Sequence, residues 1–255
     1  RDHCHALFLP DGTYMINVHY SGNNGLSLVT HSSITLSENA TLKAITNNYT
    51  NYAIVNIASA QDVILTGGNI LGDKDTHTGT DGEWGHGISI TGSSDITIRD
   101  INISKTWGDG IYINAASNIL NENIIIDSAR RYGISIIKVT NYKNLNNTIK
   151  NTSGTAPQAG VDIEPNDNTS ALDNVIFENL YTNNNAGTGL AINLAQMDAT
   201  NTVSITIRNH HDYGSVNAFW CRKSAGVKGY IKNIDCYYEH NYNQAIHLRC
   251  CYDGD

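Results

Sequence analysis

The sequence predicts an all-β chain wound as a parallel β-helix, and three observations carry that expectation. Seven segments share one short pattern, a small residue followed by apolar, any, apolar. They are Gly87-Ile-Ser-Ile90, Gly110-Ile-Tyr-Ile113, Gly133-Ile-Ser-Ile136, Gly160-Val-Asp-Ile163, Gly189-Leu-Ala-Ile192, Ala218-Phe-Trp-Cys221 and Ala245-Ile-His-Leu248, with starts 23, 23, 27, 29, 29 and 27 residues apart. A recurrence in the twenties with a two-residue apolar alternation marks a solenoid in which each coil contributes a strand. A second strand family interleaves with the first, at Asp95-Ile-Thr-Ile-Arg, Asn118-Ile-Leu-Asn, Asp173-Asn-Val-Ile-Phe, Thr202-Val-Ser-Ile-Thr-Ile and Val227-Lys-Gly-Tyr-Ile. Finally, no stretch shows the period of a long amphipathic helix, and charged residues are only 16% of the chain.

Taken in chain order, the register is weakest before residue 87. Gly25-Leu-Ser-Leu28 fits the pattern, whereas Ala53-Ile-Val-Asn56 fits only if Asn56 points inward or the register slips. The polar stretch from Gly72 to Gly85 reads as a loop inserted between coils, and its Glu83 and Trp84 make it a candidate wall over a cleft. From Gly87 onward the columns are regular. Ile88, Ile111, Ile134, Val161, Leu190, Phe219 and Ile246 form one inward column, and Ile90, Ile113, Ile136, Ile163, Ile192, Cys221 and Leu248 form another. Like residues then stack about 4.8 Å apart in a continuous dry core. The segment from Asn151 to Pro157 lengthens the coil before Gly160, and an Asp or Asn before most members of the second family suits the turns between strands. The whole chain, 1–255, reads as one domain.

At 255 residues with a formal charge of −8, the chain lacks the basic stripe that a nucleic-acid partner demands. No apolar run reaches the roughly 18 residues of a membrane span, so no membrane partner is expected. The opening Arg1-Asp-His-Cys reads like the interior of a longer or processed polypeptide. Five cysteines, an odd number with no CxxC spacing, argue against a disulfide framework or a zinc site. Cys221 is expected as a small core hydrophobe, and the vicinal Cys250-Cys251 as ordinary thiols, with a reactive pair as the alternative.

Residues between the inward ones are expected to face solvent. Asp162 and Glu164 then leave the same strand on the same face, their Cα atoms about 6.6 Å apart. Such a pair suits the acid and base of an inverting glycosidase, with like-charge repulsion raising one pKa. The alternative is a solvated acid pair that does nothing or holds a cation. One position before the glycines, His86 and Asp109 are neighbours on adjacent coils. Asp109 is a third candidate carboxylate and His86 a substrate or proton-transfer residue, against a plain turn-stabilising Asp-Gly corner. Arg130 and Arg131 lie on the coil between Asp109 and Asp162, placed either to hold a sugar carboxylate or to bridge the acids structurally. Trp84, Trp107 and Tyr112 cluster on the same coils, offering flat faces for sugar rings, with packing beneath the inserted loop as the alternative for Trp107. Tyr132, in the column of His86 and Asp109, is a further candidate substrate contact.

The opening Leu9-Pro-Asp-Gly-Thr-Tyr-Met-Ile resembles that of pectin-lyase-like proteins, and so do the segments Trp107-Gly-Asp-Gly-Ile-Tyr-Ile, Arg130-Arg-Tyr-Gly-Ile-Ser-Ile and the run from Gly154 to Asn166. This superfamily includes polygalacturonases, pectate lyases, alginate epimerases and phage tailspike depolymerases. The resemblance implies a single-stranded right-handed parallel β-helix (β-solenoid), in keeping with the right-handed bias of parallel crossovers. The chain departs from the polygalacturonase pattern, because Gly85-His-Gly87 precedes Asp109 rather than following the acids. The Asp-Pro-His-Glu motif of alginate epimerases is absent. No head-binding segment or trimerisation domain is recognisable, so if the chain is a tailspike, its central body or a compact relative is expected.

The leading expectation is an extracellular or virion-surface endo-glycoside hydrolase acting on a polysaccharide. In it Asp162 and Glu164 share acid and base work, Asp109 assists, and no cofactor or metal takes part. A homotrimer is expected if it is of the tailspike kind. The first alternative is a polysaccharide lyase or C5-epimerase, with Tyr132, His86 or an arginine as base, and Ca2+ or Arg131 neutralising a uronate. The second is a non-catalytic glycan-binding spike or adhesin.

Overall fold

A computed structural model describes residues 5–19, 22 and 24–250, leaving Cys4, Cys251 and the side chain of Cys250 outside the described residues. Three parallel sheets of nine strands each run along the solenoid. The first extends from His5–Leu9 to Lys228–Ile234, the second from Gly12–Ile16 to Tyr237–Glu239, and the third from Asn24–Ser27 to Gln244–Cys250. The chain visits them in strict rotation, so each strand pairs with its equivalent one coil away. The two strand families read from the sequence are the third and first sheets. The second was not legible, because strands such as Asn102–Ser104, Ile125–Asp127 and Thr148–Lys150 are three residues long, too short to display an alternation.

The inward columns stand as expected. Ile88, Ile111, Ile134, Val161, Leu190, Phe219 and Ile246 are consecutive partners across the third sheet. All but the last are buried, and among the described residues no further coil covers Ile246 and Leu248. Cys221 is buried in the column between Ile192 and Leu248. Near the start the register slips. Ala53 pairs with His86 and Val55 with Ile88, so Val55 and Ile57 fill the inward columns, Ile54 takes the glycine position, and Asn56 sits beside Ser89 on the outer face. The column glycines are demanded by space: a Cβ at Gly133 would lie 2.2 Å from Ile149 Cγ2 and 2.5 Å from the Gly160 carbonyl oxygen. Because each inward isoleucine packs against two neighbouring coils, Ile113→Ala is expected to cost about 2–5 kcal/mol of stability, read from urea melts.

Asparagine provides the corners. Asp100, Asn123, Asn146, Asn179 and Asn209 each hold a positive φ of 53–57° at the turn from first to second sheet. Asn and Asp tolerate this left-handed conformation better than other non-glycine residues. Their side chains form a ladder: each asparagine amide donates to the preceding coil, with distances of 3.0, 3.4, 2.8 and 2.7 Å from Asn123 to Asn209. Corner chemistry thus accounts for part of the richness in Asn that the sequence shows.

Two excursions break this regularity, both between the second and third sheets. The insert after Asn69–Leu71 is fastened by a buried node. Asp73 accepts hydrogen bonds from the Tyr52 hydroxyl and from the Asn47 backbone and side chain, and it lies 2.9 Å from His77 Nδ1. Lys74 Nζ then crosses to the second excursion, donating to the carbonyls of Ser128 (3.1 Å) and Ser153 (2.6 Å). The two loops form one wall beside the third sheet. Asp73→Ala strands several donors at once, so protease nicking within 72–83 is expected to accelerate while the coils stay folded.

Candidate active site

On the outer face of the third sheet one column runs Ser89, Tyr112, Ser135, Asp162, Ala191, Trp220, His247 in register. Two shallow hollows lie along it. The first is lined by Asn51, Trp84, His86, Ser89, Thr91 and Tyr112. The second contains Tyr132, Asp162, Glu164, Asn193, Asn217, Trp220 and His247. Asp162 and Glu164 therefore do point out of the coil and into a common hollow.

Outward does not mean solvated, however. Ser135 is 2% exposed and Asp162 6%, against the expectation that this column faces water. The cause is a small apolar cluster: Tyr132, Ala159 and Ala191 pack together with Trp220 against them and enclose this part of the column. Burial, reinforced by the charge of Glu164, raises the Asp162 carboxyl well above the ordinary range, while a hydrogen bond to Tyr132 and the charge of Arg131 oppose the rise. Glu164 is half-buried and accepts a 2.7 Å hydrogen bond from Asn193 Nδ2. One carboxyl is thus biased to keep its proton beside another that is held in place by an amide donor.

Asp109 lies behind the groove rather than in it. It is fully buried, and its Oδ2 accepts from Ser135 Oγ at 2.7 Å and sits 3.6 Å from Arg131 Nη1. Burial pushes its pKa up to about 7, with Arg131, Ser135 and the Tyr132 backbone N–H pulling the other way. Direct contact with a saccharide, as a third catalytic carboxylate would need, is closed to it; its reach is through Ser135 and Arg131. His86 is its neighbour as expected, with Nδ1 3.5 Å from Asp109 Oδ2 and accepting the Asp109 backbone N–H at 3.3 Å. Burial, and then Arg131, depress the His86 pKa to about 3, so this ring is neutral. It stacks on Tyr112 with centroids 4.9 Å apart.

The arginines and aromatics divide. Arg131 pairs with Glu83 (3.1 Å) and Asp109, and it covers the Tyr132 ring at 4.2 Å, so its charge is already committed. Arg130 donates to the carbonyls of Gly82 and Trp107 and lies 3.7 Å over the Trp107 ring. Trp107 is 8% exposed and sandwiched from its other contact by His77, whose ring centroid is 3.8 Å away. Trp107 thus packs beneath the inserted loop, the alternative to a sugar platform, and Arg130, neither a substrate contact nor a bridge between the acids, helps clamp that loop to the coils. Trp84, 47% exposed at the rim of the first hollow, keeps an open ring face, and Tyr112 lies beside it half-buried. Tyr132 is almost enclosed, and burial raises its hydroxyl pKa.

The alternation already sets Trp220 and His247 in the Asp162 column and Asn193 in that of Glu164, but sequence reading gave none of them a role, because only the folded coils show that they share a hollow with the acids. Among the described residues no group of three or more His, Cys, Asp or Glu side chains converges to hold a metal ion. Those residues also form no helix long and apolar enough to cross a membrane.

The sequence model of the family described as "Right handed beta helix region" matches residues 11–164. Over 113 residues the chain is 29% identical to the uncharacterized protein YclG of Bacillus subtilis, an alignment covering 39% of this chain and 19% of that protein. The chain thus spans only a small part of that relative's length. Among solved structures it is similar to a hyperthermoactive exopolygalacturonase from Thermotoga maritima, with a TM-score of 0.63 and 13% identity over 98% of this chain and 69% of that one. It is also similar to the tailspike protein gp49 of the Acinetobacter baumannii bacteriophage Fri1, a capsular polysaccharide depolymerase. There the TM-score is 0.62 and the identity 15%, over 94% of this chain and 50% of that one. At these identities the likeness is one of fold.

Proposed function

The chain belongs to the right-handed β-helix family, and from that premise we propose that it is a polysaccharide-degrading enzyme, an endo-acting glycoside hydrolase. The observation that carries this reading is the pair Asp162 and Glu164, side by side in the second hollow, with Asp162 buried and biased toward its protonated form. Asp162 donates its proton to the glycosidic oxygen as the C–O bond breaks. Glu164, oriented by Asn193, takes a proton from the attacking water. Side chains leaving Cα atoms about 6.6 Å apart suit the roughly 6.5–9.5 Å carboxyl separation of inverting enzymes. The fold-likeness to an exopolygalacturonase and a capsule depolymerase supports a polysaccharide as the partner. An extracellular or virion-surface location, and trimeric assembly of the tailspike kind, belong to the same proposal.

A lyase or epimerase base fits this site less well. Proton abstraction next to a uronate needs a base with an accessible lone pair and a free cation beside it. The Tyr132 hydroxyl is pushed up, not down, by burial; His86 is neutral but enclosed; Arg131 is spoken for by Glu83 and Asp109. The test is product analysis after incubation with capsular and plant-type polysaccharides. New reducing ends without near-ultraviolet absorbance are expected. Unsaturated, absorbing products would make it a lyase, and binding with no product would make it a glycan-binding spike.

A further inference from the structure

We propose that the C-terminal arm of the groove is an anion-binding subsite formed by Arg222 and Arg249 beside Trp220, selecting a glycan whose units beyond the cleaved bond carry carboxylates. This rests on the reading of Asp162 and Glu164 as the cleavage pair and names the substrate class for that same site. The two outer columns of the third sheet continue past the acids in register. Asp162 is followed by Ala191, Trp220 and His247, while Asn193, bonded to Glu164, is followed by Arg222 and Arg249. At one interstrand spacing per coil, the two arginines lie about 10 and about 14 Å along the axis from the row of Glu164. A glycan placed with its scissile bond at the acids and its chain along the column passes over Trp220 and then meets both guanidinium groups.

Three observations single out these arginines. Both are exposed, and neither forms an ion pair among the described residues, whereas Arg130 and Arg131 are fully engaged with the wall. They are direct cross-strand partners, and like charges facing each other across a ladder destabilise it. Among the described residues the acid of their column is Glu164, two coils from Arg222 and three from Arg249. Lys223 and Lys228 line the terminal hollow with Arg249, so three of only 16 basic residues meet there in a chain with a formal charge of −8, although Lys223 leaves the opposite strand face from Arg222. The overall field repels a polyanion, so the attraction has to be local. The planar forks of two adjacent arginines match carboxylates in a bidentate way, and a bound carboxylate removes the repulsion between them.

The test measures retention in affinity gels containing alginate, polygalacturonate or hyaluronan, the same polymers with their carboxyls reduced to alcohols, and neutral dextran. Binding is read on the non-cleaving Asp162→Asn protein and cleavage on the otherwise native chain. At least one acidic polymer is expected to retard the protein, with salt weakening it and carboxyl reduction abolishing it. Arg222→Gln combined with Arg249→Gln is expected to weaken that retention by about tenfold or more, the scale of a lost charge-assisted hydrogen bond. The melting temperature should be unchanged or raised, since a repulsion is removed. Equal retention by reduced polymers, retention untouched by the double substitution, or no retention by any acidic polymer overturns the proposal. Arginine-dependent binding by a chain that never cuts would keep the subsite and sink the cleavage reading. Cutting that ignores the carboxyls would do the reverse.

Discussion

Asp162→Asn and Glu164→Gln are each expected to slow chain cleavage by about 10²–10⁴-fold, the usual contribution of a positioned general acid or base. Both side chains lie on the outer face of the third sheet, away from the inward columns, so folding and sugar retention should survive. For Asp162→Asn the buried carboxyl disappears, and with it the repulsion from Glu164; the variant should be at least as stable as the native chain. The native pH profile adds a second readout. Asp162 has to carry its proton, so activity falls on the alkaline side as the pH passes its raised pKa. A conservative variant that keeps an acid here, Asp162→Glu, should retain an alkaline limb. Substituting Trp84, at the other hollow, should raise KM more than it lowers kcat, since its exposed ring touches no reacting atom. Full activity in either carboxamide variant would remove these residues from the chemistry.

What the sequence disclosed here follows from range. Gly87-Ile-Ser-Ile90 and its repeats were readable because two-residue alternation fixes which side chains enter the core, whatever lies across it. The same rule put Asp162 and Glu164 on one outer face. Its limit is the difference between pointing outward and meeting water. The burial of Asp162 depends on the ring of Tyr132 from the preceding coil and on Ala191 and Trp220 from the following two, contacts that no local window contains. Trp107 shows the same limit. Its neighbours His77 and Arg130 come from the inserted loop and the next coil, so the choice between a sugar platform and packing beneath the loop, open in the sequence, is decided for packing only by the fold. Thr182 and Asp212 are a third case. They occupy the second sheet's inward column where coils nearer the start carry Ile126 and Ile149, and they bond to each other at 2.5 Å. An alternating pattern with a polar residue at the inward position is ordinarily assigned the opposite face, and only the hydrogen-bond partners reveal the exception.

Arg131→Met should destabilise the protein by about 3–5 kcal/mol near pH 9, the cost of leaving a buried charge without its partner, and by much less near pH 5. The guanidinium is the cation paired with Asp109, at 3.6 Å, and it ties that buried carboxylate to Glu83 on the inserted loop. In the native chain burial raises the folded pKa of Asp109 from an ordinary 3.8 to about 7. A carboxyl raised in this way contributes stability that is complete below its unfolded pKa and is lost as the pH climbs through the folded one. Without Arg131 the folded pKa moves higher still, so the loss deepens and extends toward alkaline pH. At pH 5 Asp109 is protonated in both folded forms, and what remains is the loss of packing over Tyr132 and of the partly exposed ion pair with Glu83. His86 acts in the opposite sense, because its folded pKa is depressed to about 3: its contribution is present above its unfolded pKa and is lost as the pH falls toward 3. Arg131 supplies part of that depression, so the variant is partly relieved of this acid-side loss, which narrows its difference from the native chain at pH 5 and does not mimic the alkaline effect. Adding Asp109→Asn to Arg131→Met removes the uncompensated charge and should flatten the difference between the two pH values. Urea titrations of the native chain, the single and the double variant at both pH values read these quantities directly. A pH-independent loss in the single variant would reduce Arg131 to a packing residue and break the electrostatic link drawn between the inserted loop and Asp109.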